Sequence, residues 1–146
     1  MEVNHILPPE NILLHVATES KTDAIARVGE TLVANSYVDA AYIEGMQKRE
    51  ESMTTYIGNE VAIPHSMPEY VQYIRRSGIV VAQYPDGVDF GGGNVAKLVI
   101  GIAGKGDEHM EVLSHIATVC MEVANVDKLV HASSKEEVMN ILEVSR

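Results

Sequence analysis

Cysteine, tryptophan and phenylalanine are nearly absent: the 146 residues hold one Cys, Cys120, one Phe and no Trp. A lone cysteine excludes an intrachain disulfide and so removes the main mark of an exported chain. Positive charge is scarce too, with 11 Lys and Arg against 21 Asp and Glu, a net charge of −10. The basic residues gather only in pairs such as Lys48-Arg49 and Arg75-Arg76, so the stripe that a nucleic-acid backbone requires is missing. Long apolar runs are also lacking. Ile79 to Ala82 and Leu98 to Ala103 fall far short of the roughly 20 residues that span a bilayer, so no direct membrane insertion is expected. The opening Met1-Glu2-Val3 shows no basic stretch before an apolar one, and a cytoplasmic location is expected. No Gly/Ser linker, Pro-rich tract, like-charge run or internal repeat divides the chain, so 1–146 is expected to be a single, stand-alone domain.

What is present is apolar residue, at 46%, in a pattern that alternates between helix and strand. Ser20 with Asp23 predicts a helix start, after which Ala24, Ile25, Val28 and Leu32 share one face as far as Asn35. Asp39 is predicted to cap a second helix with Tyr42, Ile43 and Met46 inward and Lys48, Arg49, Glu50 and Glu51 at its end, where a cation is favoured. Ile57, Val61 and Ile63 alternate around a Gly58-Asn59 turn signal and lead into Pro64-His65, so His65 is placed at a strand exit. The runs Gly78 to Gln83 and Lys97 to Ala103 are continuously apolar, as strands covered on both faces are, with Gly91-Gly92-Gly93 as a loop between them. Asp107 is predicted to cap a helix with Leu113, Ile116, Ala117, Cys120 and Ala124 buried. A final helix starts at the capping box Ser134 and Glu137, with Val138, Ile141 and Leu142 inward. This order describes an α/β fold with helices on both faces of the sheet.

Three residues draw attention as chemistry. A histidine near neutral pH keeps one ring nitrogen with a free lone pair, which makes it a phosphoryl acceptor, and Pro64 stiffens the backbone before His65. Taken alone, one histidine after a proline reads first as a loop residue. His109 falls in the first turn of a helix approached through Gly104 and Gly106, where an anion finds backbone N–H groups and a favourable dipole. It serves equally as a solvated histidine until the two are considered together, when they imply a two-histidine site. Arg49 offers a planar guanidinium for phosphoryl oxygens, although in isolation it reads first as part of a solvated helix end. Thr54 and Thr55 add hydroxyl donors.

Other chemistries fail on spacing. His109 and His115 lie on different helix faces and no H-E-x-x-H occurs, so no metal is expected. Neither glycine cluster matches a nucleotide-binding fingerprint, and no cofactor is expected. Cys120 lies in an apolar stripe and reads as core, while His5, His15 and His131 show no partner pattern.

The segments Arg49-Glu50, Thr54-Thr55-Tyr56-Ile57-Gly58-Asn59 and Ala62-Ile63-Pro64-His65 resemble the enzyme IIA domain of the fructose/mannitol class of the bacterial phosphoenolpyruvate-dependent sugar phosphotransferase system. The likeness continues through Gly78-Ile79-Val80-Val81, Gln83 to Val88 and Gly101-Ile102-Ala103 to Glu108-His109, covering nearly the whole chain. The Gln83 to Phe90 and Asp107-Glu108-His109 stretches look most like the mannitol-specific branch. The resemblance implies a mixed, largely parallel five-stranded sheet. It also implies that His65 takes a phosphoryl group from the histidine-containing phosphocarrier protein and gives it to a cysteine of the cognate mannitol IIB component, with His109, Arg49 and Thr55 around the group. A fructose-type or nitrogen-regulatory module that signals through the same histidine is the alternative. Ser66 departs from the glycine common after that histidine in the family.

Overall fold

The computed structural model describes residues 6–143, so His5 lies outside the described residues. The two apolar runs pair with each other to form the centre of the fold. Strand β4 (Gly78–Gly91) and strand β5 (Asn94–Ala103) are antiparallel, with Ile79 opposite Ile102 and Val81 opposite Ile100. The turn between them needs left-handed backbone, with φ of 62° at Gly92 and 84° at Gly93, which glycine adopts at little cost. Strand β1 (Ile12–Leu13) adds parallel to β4, β3 (Val61–Ala62) adds parallel to β5, and β2 (Tyr56–Gly58) pairs antiparallel with β3. The five-stranded order is β1-β4-β5-β3-β2. Its pairing is evenly mixed rather than largely parallel, because the longest pair is a hairpin and its strands must oppose.

The predicted strand between Tyr56 and Ile63 is a small hairpin. Asn59 and Glu60 at its tip have φ of 52° and 67°, the positive values of a primed turn. The Asn59 amide then donates to the carbonyls of Cys120 and Met121, both at 3.1 Å, and ties the tip to a helix end.

Helix α1 (Lys21–Ala34) begins as read, with the Asp23 N–H donating to the Ser20 hydroxyl. Helix α2 (Ala41–Ser52) starts two residues past Asp39, whose side chain makes no cap; its carboxylate instead takes the Arg75 guanidinium, with Oδ1 to Nη2 at 2.5 Å. Helix α3 (Glu108–Cys120) likewise starts without a side-chain cap from Asp107. Its buried stripe is Val112, Ile116, Val119 and Cys120, while Leu113 and Ala117 are half-buried and Ala124 is exposed beyond its end. The chain then forms a separate helix α4 (Val123–His131) that periodicity had merged with α3. Helix α5 (Lys135–Glu143) carries the capping box, with the Glu137 N–H donating to Ser134 Oγ at 3.2 Å.

Alternation along β4 and β5 sends side chains to two cores. Ile79, Val81, Leu98, Ile100 and Ile102 pack against α3, α4 and α5. Val80, Ala82, Tyr84 and Val99 pack against α1 and α2. Each fully buried aliphatic side chain contributes roughly 1.5–3 kcal/mol, so this layering holds the sheet between its helices as expected. Cys120 is buried in the first core and burial pushes its thiol up to about 11, so it is an inert packing residue.

Candidate functional site

Strands β3 and β5 run parallel side by side, so their carboxyl ends open at one edge of the sheet. In open α/β sheets that edge is where ligands meet protein. The chain leaving β3 passes through Ile63 and Pro64 to His65, and the chain leaving β5 passes through Gly104 to His109. The two imidazoles face each other with ring centroids 5.9 Å apart and planes inclined at 61°. The predicted two-histidine pair is therefore present.

His65 is half-buried, less open than a loop histidine, and its backbone is held from several sides. The Ile63 N–H donates to the Thr55 carbonyl at 3.0 Å, the Ile102 N–H to the Pro64 carbonyl at 2.9 Å, and the Met67 N–H to the Gly45 carbonyl at 3.2 Å. Tyr42, buried beneath, donates its hydroxyl to the Ile102 carbonyl at 2.7 Å and accepts the Ser66 N–H at 3.4 Å. Ser66 is absent from the positive-φ positions, and its hydroxyl donates to the Met67 carbonyl at 3.0 Å. Serine thus fits here without strain, and its hydroxyl is turned to the backbone instead of the histidines.

The ring of His65 has a defined orientation. Its Nδ1 lies 2.8 Å from the Ile63 carbonyl, an acceptor only, so Nδ1 carries the proton and Nε2 keeps the lone pair. Burial holds the imidazole below its ordinary pKa of 6.5. The bond to Ile63 and the charge of Glu50 act upward, while the charges of Arg49 and His109 act downward. The ring is therefore neutral near pH 7, the state a nucleophile needs.

His109 owes its place to a close backbone approach. A β-carbon at Gly104 would stand 2.4 Å from His109 Cα, so only glycine admits this geometry. The loop is tied down by Ser77, whose Oγ donates to Glu108 Oε1 at 2.6 Å and accepts the Lys105 N–H at 2.9 Å. The N–H groups of Glu108 and His109 turn back to the carbonyls of Lys105 and Gly106, so they are less available to an anion than the helix start implied. A 560 Å³ cleft lined by Val71, Gln72, Ile74, Gly104, Lys105, Gly106 and His109 opens beside the pair.

Arg49 lies in the last turn of α2, where its Nη1 donates to the Met53 carbonyl and meets the helix dipole as read. It is near enough for its charge to act on His65. Thr55 is buried, and its hydroxyl donates to Glu50 Oε1 at 2.6 Å, so its proton is committed behind the site instead of being offered into it. Glu50, which its charged neighbours would place on a solvated helix end, is only 6% exposed. One signal was there: Glu50 continues the inward stripe of Tyr42 and Met46 at helical spacing. Among the described residues no three His, Cys, Asp or Glu side chains converge to hold a metal ion.

The sequence profile described as "Phosphoenolpyruvate-dependent sugar phosphotransferase system, EIIA 2" matches residues 5–144. The chain is 52% identical over 137 residues to the mannitol-specific phosphotransferase enzyme IIA component of Geobacillus stearothermophilus, covering 94% of each. Against the protein of the same name from Bacillus subtilis it is 45% identical over 136 residues, covering 93% of this chain and 95% of that one. The fold superposes with a TM-score of 0.88 on a chain from the solved complex of enzyme IIAMTL and phosphorylated enzyme IIBMTL from Escherichia coli, at 35% identity, over 94% of this chain and 96% of that one. With a neutral histidine poised at the β3 exit and a second facing it, this chain belongs to the EIIA type 2 family of the phosphoenolpyruvate-dependent sugar phosphotransferase system.

Proposed function

We propose that this chain is the IIA phosphocarrier of a mannitol uptake system, working in the cytoplasm as one domain over 1–146. The observation that carries the reading is the His65 ring, fixed at Nδ1 by the Ile63 carbonyl, with Nε2 left as the nucleophile beside His109. Nε2 attacks the phosphorus of a phosphohistidine on the histidine-containing phosphocarrier protein. The donor N–P bond breaks as the new N–P bond forms, and the electron pair returns to the donor ring. A thiolate on the IIB component then takes the group, and the pair returns to Nε2.

Phosphoryl transfer asks mainly for positioning and for neutralising charge on the transferring oxygens. His109 and Arg49 supply that charge. Apolar Met53, Val71 and Met110 are exposed on segments that adjoin Arg49 and His109, a surface suited to protein partners. Mannitol as the sugar is supported by the names and identity of the bacterial relatives, and transfer to a mannitol IIB component by the E. coli complex.

Incubation with phosphoenolpyruvate, enzyme I and the phosphocarrier protein is expected to give an acid-labile phosphohistidine that His65→Ala lacks. Undiminished labelling of His65→Ala would overturn the assignment. Delivery to a mannitol IIB domain in preference to a fructose IIB domain tests the sugar, and the reverse preference would replace it.

A further inference from the structure

Behind His65 lies a buried carboxylate that the transfer chemistry does not itself use. Glu50 Oε1 accepts both the Thr55 N–H at 2.9 Å and the Thr55 hydroxyl at 2.6 Å. The Thr55 carbonyl accepts the Ile63 N–H at 3.0 Å, and the Ile63 carbonyl faces His65 Nδ1 at 2.8 Å. The other carboxylate oxygen, Oε2, is buried without a hydrogen-bond partner, and the nearest cation is Lys21 Nζ at 3.6 Å. A carboxylate kept 6% exposed with one oxygen unmatched is costly to hold, and such a cost calls for a return.

We infer that Glu50 and Thr55 are positioning residues for the phosphoryl acceptor, acting through Ile63 to hold the Nδ1–H tautomer of His65 and so keep Nε2 as the nucleophile. The inference rests on the phosphocarrier reading for its purpose but not for its test.

Each link is positional. Glu50 grips Thr55 at two atoms, Thr55 fixes the Ile63 N–H, and that fixes the direction of the Ile63 carbonyl. An imidazole that meets an immobile acceptor keeps its proton there; one that meets a wandering acceptor samples both tautomers. The negative charge of Glu50 favours a proton on the ring, against Arg49 of the same helix and His109 of α3, so it bears on the pH at which His65 titrates, while the choice of tautomer rests on the main-chain relay. Lys21 of α1 partly offsets Glu50. In this arrangement a buried acid orients the histidine through main chain.

The test is a nitrogen-15 NMR titration of His65 in the unphosphorylated, full-length protein, for wild type, Glu50→Gln, Thr55→Val and Thr55→Ser. Glu50→Gln keeps the shape and an acceptor oxygen but loses the charge. It is expected to lower the pH at which His65 titrates and to raise the Nε2–H tautomer. Phosphotransfer from the phosphocarrier should slow about tenfold, the scale of one hydrogen bond to a charged group. Thr55→Val should shift the tautomer the same way, and Thr55→Ser, which restores the hydroxyl, should behave as wild type. Residues acting as one unit are non-additive, so Glu50→Gln with Thr55→Val should transfer at nearly the rate of Glu50→Gln alone. The inference is overturned if His65 titrates with wild-type pH and tautomer in both Glu50→Gln and Thr55→Val, even where melting temperature falls. Because the titration needs no phosphoryl donor, it stands apart from a failure of His65 to become labelled.

Discussion

His109 meets His65 edge to face, with centroids 5.9 Å apart, so the second ring stands beside the acceptor without occupying the lone pair on Nε2. On the proposed mechanism that relationship separates their duties: one ring would make the new bond and the other would answer the charge arriving with it. Replacing His109 by Ala should therefore leave docking of the phosphocarrier intact. Transfer should fall about a hundredfold, the usual effect of losing one preorganised charge-stabilising donor. Rapid-quench transfer rates alongside a binding isotherm measure both quantities, and equal rates would remove His109 from the reaction.

The direction of the His65 shift fixes a pH dependence. Its folded pKa lies below the ordinary 6.5, so between those two values the unfolded chain binds more protons than the folded one. Stability contributed by a neutral His65 is thus complete above pH 6.5 and is lost as the pH falls through that window. Acceptor activity should hold through pH 6.5 and decline only below the depressed pKa. Denaturant melts across the same range should show a shallower acid slope in His65→Gln, and a matching slope would contradict the shift.

Gly104→Ala tests the approach of the two loops. The added methyl would meet His109 Cα at 2.4 Å, a backbone clash that no rotamer relieves. Overpacking of this kind costs about 1–3 kcal/mol, and here the strain should also displace His109. Thermal melting should fall while transfer slows by a factor near that of His109→Ala; wild-type transfer in Gly104→Ala would show that the loop yields freely.

Ser66→Gly should transfer like wild type. Ser66 occupies ordinary backbone, and its hydroxyl serves the Met67 carbonyl, so glycine removes one hydrogen bond and adds unfolded-state freedom. A stability loss of about 0.5–1.5 kcal/mol, read from urea midpoints, is expected. A change in the phosphorylation rate larger than the stability change would give the hydroxyl a part in the reaction.

Much of this arrangement was legible in the chain. Ser20 caps α1 as its spacing required, and the two continuous apolar runs are the doubly covered strands β4 and β5. His65, His109 and Arg49 do share one region, as the two-histidine reading asked. The misses have local causes. Asp39 fits a helix start by type, yet Arg75, distant in sequence, outcompetes the cap. The break between α3 and α4 hides in a run with helical composition, since Met121 and Glu122 carry no breaker residue. Glu50 looked solvated because a carboxylate beside Arg49 and Glu51 ordinarily is. The return of Thr55 onto it, through an irregular segment, and the Lys21 ammonium at 3.6 Å make burial tolerable. Periodicity describes faces of elements and is blind to such returns.

Most groups that hold the chain around His65 are main-chain atoms, the Pro64 carbonyl on the Ile102 N–H and the Ile63 N–H on the Thr55 carbonyl, and the ring itself turns its Nδ1 to the main-chain carbonyl of Ile63. Side-chain drift at Ile63 or Ile102 leaves those atoms in place. The reactive ring inherits its aim largely from strand registration, so side chains that only cover these strands can change while the main-chain frame around the nucleophile stays in place.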